Sequence, residues 1–179
     1  MSKKVLVISA SPRKDGNSDL LSDQFILGAE EAGNTAEKIF LKEYMINYCR
    51  ACDACQNNGG VCIQDDDMSN ILDKMIEADV IVLATPVYFY TMNAQLKTLI
   101  DRTYARYISI ADKEFYFIAT AAVQDKKAMM RTIEGLRGFT TVLSGAEEKG
   151  VIYATGVWKK GDVKGTKFME EAYEMGKAV

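Results

Sequence analysis

The chain contains no histidine, which removes the commonest general base and, after cysteine, the commonest zinc ligand. A hydrolase built on a Ser–His or Cys–His pair is therefore not expected. No apolar run reaches the roughly 18 residues of a membrane-spanning helix, and the first residues lack a signal-peptide pattern. There is no basic stripe and the formal net charge is −3, which argues against a nucleic-acid partner. These absences predict a cytoplasmic protein without membrane contact.

The composition is that of an ordinary globular protein. The chain has 179 residues, of which 48% are hydrophobic and 26% are charged. This length suits one domain, since about 150 residues per domain is usual. We find no internal repeat, low-complexity segment or linker, and we expect a single domain over residues 1–179.

Alternating apolar runs and helical patterns predict the fold class. The expected strands are Lys4–Ser9, Thr35–Phe40, Val80–Thr85, Glu114–Ala121 and Gly150–Thr155. The expected helices are Asn17–Glu31, Met68–Ala78, Asn93–Tyr107, Asp125–Ser144 and Lys164–Ala178. The third run, Val80–Ala84, is apolar throughout, as in strands buried on both faces of a parallel sheet. We therefore predict an α/β fold with a doubly wound, five-stranded parallel sheet, strand order 2-1-3-4-5 and helices on both faces.

The turn after the first strand is rich in hydroxyl groups and opens a helix, where main-chain amides favour an anion. The side chains that can bind or attract an anion here are Ser9, Ser11, Arg13, Asn17 and Ser18. The turn has neither G-x-G-x-x-G nor the G-K-[ST] of a P-loop, so a single phosphate, as in FMN, fits better than a dinucleotide or ATP. The alternative is structural: Asn17 or Ser18 caps the helix and Pro12 shapes the turn.

The exit of the third strand carries aromatic residues. In the predicted strand order the ligand crevice lies between strands one and three, and residues 85–93 face it. Pro86 stiffens this turn, and Tyr88, Phe89 and Tyr90 can wall a planar ring. Aromatic residues are also enriched at subunit interfaces, and the two interpretations are compatible.

All four cysteines lie in one unusually long connection, a predicted loop insertion at about residues 42–67. They are Cys49, Cys52, Cys55 and Cys62, spaced C-x2-C-x2-C-x6-C. In a cytoplasmic protein such a cluster favours metal binding or catalysis over disulfides. The packed triplet is typical of a 4Fe-4S cluster, whereas four-cysteine zinc sites usually use two separated pairs. Thiols that bind no metal remain the other possibility. The following acids, Asp65–Asp67, are interpreted as the start of a helix.

With these segments placed, the chain resembles the NADPH-dependent FMN reductase family of flavodoxin-like proteins and, within it, the iron–sulfur flavoproteins. The resemblance covers roughly residues 3–123. It is carried by Ser9–Arg13 with Asn17-Ser18, the four cysteines, Asp66–Met68, Ala78-Asp79, Thr85–Tyr88, Gln95–Lys97 and Ile100–Arg102.

The resemblance implies a site for FMN held without a covalent bond. The phosphate would lie on Ser9, Ser11, Arg13, Asn17 and Ser18, and the ring against Pro86, Val87, Tyr88 and Phe89. The loop after the fourth strand would approach the ring from the other side through Thr120 and Ala121, although it lacks the glycine- and serine-rich composition expected there. The family also implies a homodimer or homotetramer with the flavin near a subunit seam.

Three functions follow as expectations. In the first, NAD(P)H reduces FMN, which passes electrons to a small acceptor such as a quinone, free flavin or ferric centre; no protein base is required, in keeping with the absence of histidine. In the second, the protein is an iron–sulfur flavoprotein that carries electrons for a ferredoxin-like partner through a 4Fe-4S cluster on the four cysteines. In the third, the cysteine loop is a redox switch. Trp158 either covers a ligand or ends the sheet.

Overall fold

Five parallel strands form the centre of the structure, a computed structural model that describes residues 2–179. The five parallel strands are β1 (Lys4–Ser9), β2 (Thr35–Phe40), β3 (Val80–Tyr88), β5 (Glu114–Thr120) and β6 (Glu147–Ala154), and a short strand β4 (Thr91–Met92) lies beside them. The parallel strands follow the order β2-β1-β3-β5-β6, which confirms the predicted 2-1-3-4-5 arrangement. The additional strand β4 was not predicted; it pairs antiparallel with the end of β3.

Helices cover both faces of the sheet, as predicted. They are α1 (Asn17–Glu31), α2 (Ala54–Asn57), α3 (Met68–Glu77), α4 (Ala94–Arg102), α5 (Met130–Thr140) and α6 (Lys167–Lys177). Buried side chains of α3, α4 and α5 form one apolar cluster with the sheet, and those of α1 and α6 form a second. Within the described part of the chain, no helix is long and apolar enough to cross a membrane.

Three predicted helices were too long. The helix expected at residues 164–178 is α6, Lys167–Lys177. In place of the helix expected at residues 93–107, the α-helix ends at Arg102. Two 3₁₀ turns follow it, Thr103–Ala105 and Tyr107–Ser109. The helix expected at 125–144 begins with the 3₁₀ turn Lys126–Met129 before α5. A 3₁₀ turn continues the pattern of a helix while changing its hydrogen bonds, so the pattern does not mark the boundary.

Strand β6 was expected at 150–155 but begins three residues earlier. Residues Glu147–Lys149 are exposed and charged, so they carry no apolar signal for a strand. They pair with β5 through a register shift beside Phe115. Because β6 is an edge strand, its polar start remains in contact with water.

The parallel register brings the loops after four strands to one edge of the sheet. Ser9 lies opposite Ala84, Pro86 opposite Thr120, and Thr120 opposite Ala154. The exits of β1, β3, β5 and β6 therefore converge at the carboxyl edge. In doubly wound sheets the ligand crevice lies there, where the strand order reverses between β1 and β3.

Candidate functional site

A cleft of about 640 Å³ lies at this carboxyl edge, a volume in the range of small-molecule and cofactor sites. Segments from the exits of all four strands line it. They are Ser11–Arg13, Asn17-Ser18, Pro86–Phe89, Thr120–Ala122 and Val157-Trp158. Ten of the eleven residues predicted to bind a cofactor are among them; Ser9 is not.

The turn after β1 is held tightly by its own hydrogen bonds. The Ser11 hydroxyl donates to the carbonyl oxygen of Arg13 over 2.8 Å, and the Gly16 N–H donates to the same oxygen over 2.9 Å. A Cβ atom at position 16 would clash with the Ser11 hydroxyl, so only glycine fits this close approach. The turn is thus preformed before any ligand arrives.

Ser18 supplies an open donor at the start of α1. Its side chain is buried, it lines the cleft, and its hydroxyl has no hydrogen-bond partner anywhere in residues 2–179. The N-cap residue is Gly16, which has no side chain to cap the helix. A buried hydroxyl without a partner is costly. The hydroxyl and the helix N-terminus together fit an anionic group such as the phosphate of FMN.

Ser9, which was predicted to bind the phosphate, does not line the cleft. It is fully buried behind the turn, and its hydroxyl donates to Asp19 over 2.8 Å. The Asp19 carboxylate also accepts from the Asp15 N–H and pairs with Lys38 over 2.8 Å. Burial alone would lower the pKa of Lys38, but its bonds to Asp19 and Asp23 outweigh this and raise it. A charged Lys38 therefore balances the buried carboxylate that lies close to the anion site.

Asn17 lines the cleft, but its side-chain amide is already used. It donates to the carbonyl oxygen of Lys159 over 3.0 Å and accepts from the N–H of Val163 over 3.2 Å. The amide therefore links the first turn to a segment more than 140 positions away in the sequence. This link favours a structural role for the Asn17 amide over direct contact with a phosphate.

The end of β3 forms the opposite wall. Pro86 makes the last parallel pairing of the strand, and Val87 and Tyr88 then pair with β4. The hairpin turn consists of Phe89 and Tyr90, with φ values of 49° and 64°. Such positive φ angles are strained for large side chains and are usually met by Asn-Gly in this type of turn. Residues held in such sparsely populated backbone conformations cluster at functional sites in proteins generally, and Phe89 lines the cleft.

Asn93 holds the exits of β1 and β3 together. Its side chain accepts from the Leu96 N–H at the start of α4 and donates to the carbonyl oxygen of Ala10. Its main-chain N–H donates to the Thr85 hydroxyl over 3.2 Å. Asn93 therefore fixes the width of the crevice.

The exit of β5 contributes mainly backbone. Thr120 and Ala121 are buried and line the cleft. The Ala121 N–H donates to Ala154, and its carbonyl oxygen accepts from Val157. The backbone of Ala121 is thus satisfied within the protein, and this loop shapes the cleft more than it binds polar groups.

The four cysteines lie outside this cleft and do not form a metal site as arranged. All four are free thiols, and Cys52 is exposed. Among residues 2–179, no group of three or more Cys, Asp or Glu side chains is placed to hold a metal ion. The predicted 4Fe-4S ligand set Cys49, Cys52, Cys55 and Cys62 therefore does not fit a cluster in this arrangement.

A buried ion pair anchors the segment that contains the four cysteines, at about residues 42–67, which we call the cysteine segment. Arg102, at the end of α4, binds both carboxylate oxygens of Asp66 at 2.6 and 2.9 Å. It also donates to the carbonyl oxygen of Asn47 and contacts the Cys62 sulfur at 3.5 Å. Burial would raise the pKa of Asp66, but the bonds from Arg102, Asn47 and Met68 outweigh it and lower the pKa to about 2.

The interpretation of Asp65–Asp67 as a helix start needs correction in detail. Asp67 occupies the N-cap position of α3 but makes no capping bond; its carboxylate accepts from the Met45 N–H over 2.6 Å. Asp66 accepts from the Met68 N–H at the helix start and pairs with Arg102. These acids hold the two ends of the cysteine segment together.

The sequence interpretation missed Gly16, Asn93 and Val157 as parts of the site. An asparagine before a helical run is a capping signal, which marks Asn93 but not its bond to Ala10. Nothing local in the sequence indicates that Val157 reaches the cleft.

Comparison with known proteins places these observations in a family. The family model described as NADPH-dependent FMN reductase matches residues 3–154. An iron–sulfur flavoprotein of Methanocaldococcus jannaschii is 44% identical over 100 residues, which are 56% of this chain and 51% of that protein. An iron–sulfur flavoprotein of Archaeoglobus fulgidus is 39% identical over 99 residues, 55% of this chain and 44% of that protein. The matched stretch spans about half the length of these relatives.

Solved structures share the fold. The FMN-dependent NADH-azoreductase of Bacillus anthracis, crystallised with FMN, has a TM-score of 0.73 at 21% identity. The match covers 99% of this chain and 97% of the azoreductase. At this level of identity the likeness shows the flavodoxin-like fold alone.

Proposed function

The chain belongs to the NADPH-dependent FMN reductase family, and we propose that it is an FMN-dependent oxidoreductase. Electrons pass from NAD(P)H to the flavin and on to a small acceptor of the quinone, flavin or ferric class. The observation that carries the proposal is the cleft at the carboxyl edge, where the partnerless Ser18 hydroxyl meets an uncapped helix start.

The proposed roles follow the geometry of the cleft. Ser18, Arg13 and the free amides that begin α1 would hold the phosphate at the first turn. Ser11 holds the turn, and Ser9 acts behind it through Asp19. Pro86–Phe89, at the exit of β3, would hold the ring on one side, and Thr120 and Ala121 would hold it on the other.

Bound FMN supplies the chemistry, because it accepts two electrons as hydride and can release them singly. The protein orients the donor and the cofactor. Pro86 and the Phe89-Tyr90 turn give the ring wall a fixed shape, since both restrict the backbone. No side chain has to remove a proton.

The test is anaerobic reduction of the FMN-loaded protein. Addition of stoichiometric NADPH or NADH is expected to bleach the visible absorption of the flavin, a property of the cofactor. A flavin that stays oxidised with both donors, while dithionite reduces it, would remove the reductase proposal.

A second candidate is an iron–sulfur electron carrier that works with a ferredoxin-like partner. It is supported by the C-x2-C-x2-C-x6-C spacing and by the named iron–sulfur flavoproteins among the relatives. It requires the cysteine segment to change its arrangement so that the thiols converge. Iron and sulfide assays on anaerobically purified protein test this candidate. About four iron per chain would support the carrier, and protein without iron would exclude it.

Three further expectations belong to the proposal. The chain forms one domain with a cysteine-rich insertion at about 42–67, it is cytoplasmic, and it assembles as a homodimer or homotetramer. The assembly is supported by the exposed aromatic turn, where Phe89 is 100% and Tyr90 53% exposed.

A further inference from the structure

Trp158 is an exposed aromatic residue on a rigidly held backbone. It is the only tryptophan of the chain, it is 72% exposed, and it lines the cleft. Its neighbour Val157 and the nearby Val163 are both buried in the apolar cluster under α1 and α6. The indole is therefore presented to the cleft from a segment, Val157–Val163, that is fixed to the core at both ends.

Asn17 and Asp162 both bind the backbone of this segment. The Asn17 amide binds the backbone of Lys159 and Val163, as described above. The Asp162 carboxylate accepts from the N–H groups of Trp158 and Lys159 over 3.0 and 2.6 Å. Asp162 itself is exposed and does not line the cleft.

An additional ion pair joins the same segment to the first turn. The Lys160 ammonium lies 3.2 Å from the Asp15 carboxylate. The Val157 N–H also donates to Ala121, which connects the segment to the exit of β5. The wall that carries Trp158 is thus attached to two of the loops that form the cleft.

We propose that Trp158 is a binding residue for the flavin nucleotide and that Asn17 and Asp162 are positioning residues that act through it. The inference rests on the proposed FMN site and adds a fourth wall from the exit of β6. A large exposed indole gains contact when a ligand covers it, and a preformed backbone lowers the entropy lost on binding. This gives Asn17 an indirect role in place of direct phosphate binding.

The test is a double-mutant cycle on FMN affinity, with Trp158→Ala, Asp162→Ala and the combined variant. Trp158→Ala is expected to raise the FMN dissociation constant about tenfold, and Asp162→Ala about threefold to tenfold. The combined variant should be no weaker than Trp158→Ala alone. Trp158→Phe keeps an aromatic wall and Asp162→Asn keeps an acceptor oxygen, so both should stay within about twofold of the unaltered protein.

The sign of the Asp162 effect separates this proposal from simple electrostatics. Removing a negative charge near an anion site should tighten FMN binding if charge alone acts. Tighter binding by Asp162→Ala, additive effects in the cycle, or an unchanged affinity of Trp158→Ala would each overturn the inference. Thermal unfolding of the FMN-free variants checks the fold, and Trp158→Ala should leave it unchanged because the indole is exposed.

The failures of the two proposals are distinguishable. If the unaltered protein does not bind FMN, the proposed function itself fails. If it binds FMN and the cycle gives one of the contrary results, only the role of Trp158 is lost.

Discussion

At the scale of single residues, neighbouring polar side chains in the first turn have separate roles. Ser18 keeps a free hydroxyl in the cleft, whereas Ser9 binds Asp19 and the Asn17 amide binds a distant loop. All three are small polar residues close together in the sequence. Their roles differ because their partners come from different parts of the fold.

Ser18→Ala is expected to separate stability from ligand binding. Removal of a buried hydroxyl without a partner should leave the stability of the FMN-free protein unchanged or raise it by about 1 kcal/mol. FMN binding should weaken about tenfold to hundredfold, since the loss of a hydrogen bond to a charged group costs about 1.5–3 kcal/mol. Urea unfolding and FMN titration measure the two effects.

Ser22→Ala is the matched control, because the Ser22 hydroxyl donates within α1 to the carbonyl oxygen of Ser18 and does not line the cleft. It should leave FMN affinity unchanged. Equal affinity of Ser18→Ala and the unaltered protein would contradict the phosphate position.

Asp66 makes the free energy of unfolding of the protein depend on pH in the acid range. Its pKa is lowered in the folded protein to about 2, from an ordinary value of 3.8. Its stabilising contribution is therefore complete above the ordinary value and is lost as the pH falls through about 2. The loss should be about 2 kcal/mol, as measured by urea unfolding between pH 5 and pH 2.

Asp66→Asn should flatten this pH dependence, although it also destabilises the protein by weakening the buried contact with Arg102. Asp65→Asn, at an exposed neighbour, should keep the slope of the unaltered protein. If Asp66→Asn retains that slope as well, another carboxylate is responsible.

At the scale of elements, α1 and α6 pack backbone against backbone. A Cβ atom on Gly28 would clash with the carbonyl oxygen of Tyr173, and one on Gly176 with that of Phe25. The two glycines thus permit a close approach that fills the second apolar cluster. By contrast, a Cβ atom added to Gly138, in α5, would meet no atom within 4 Å.

Alanine at Gly28 and alanine at Gly138 should therefore have opposite effects on the stability of the protein. Gly28→Ala is expected to destabilise the protein by about 1–3 kcal/mol, because the helices must separate. Gly138→Ala should stabilise it by up to about 1 kcal/mol, since alanine favours a helix and meets open space. Chemical denaturation of both variants measures this. Destabilisation by both, to a similar extent, would indicate that the close approach is not the cause.

At the scale of the whole molecule, the exposed aromatic turn after β3 is expected to lie in a subunit contact. Light scattering of the FMN-saturated protein should give the mass of a dimer or tetramer. The double change Phe89→Asn with Tyr90→Gly suits the turn geometry while removing both rings, and it should lower that mass.

Ile108→Ser removes another exposed apolar side chain and serves as the control. It should leave the mass unchanged. A monomeric mass for the unaltered protein would contradict the proposed assembly.

The sequence alone determined the order of the elements, the parallel sheet and the two loops that supply most of the cleft. These features depend on local patterns: apolar runs, helical periodicity, and the turn residues that follow β1 and β3. The strand β4 was not predicted because it has only two residues and follows a turn made of aromatic residues rather than Asn-Gly.

The tertiary structure alone decided which polar groups remain free for a ligand. Ser9, Asn17 and Arg102 find partners through packing, at separations of 10, 142 and 36 residues in the sequence. It also brought Trp158 to the cleft and kept the cysteines from converging. The physical reason is that a hydrogen bond depends on positions in space within about 3 Å, which no local pattern encodes.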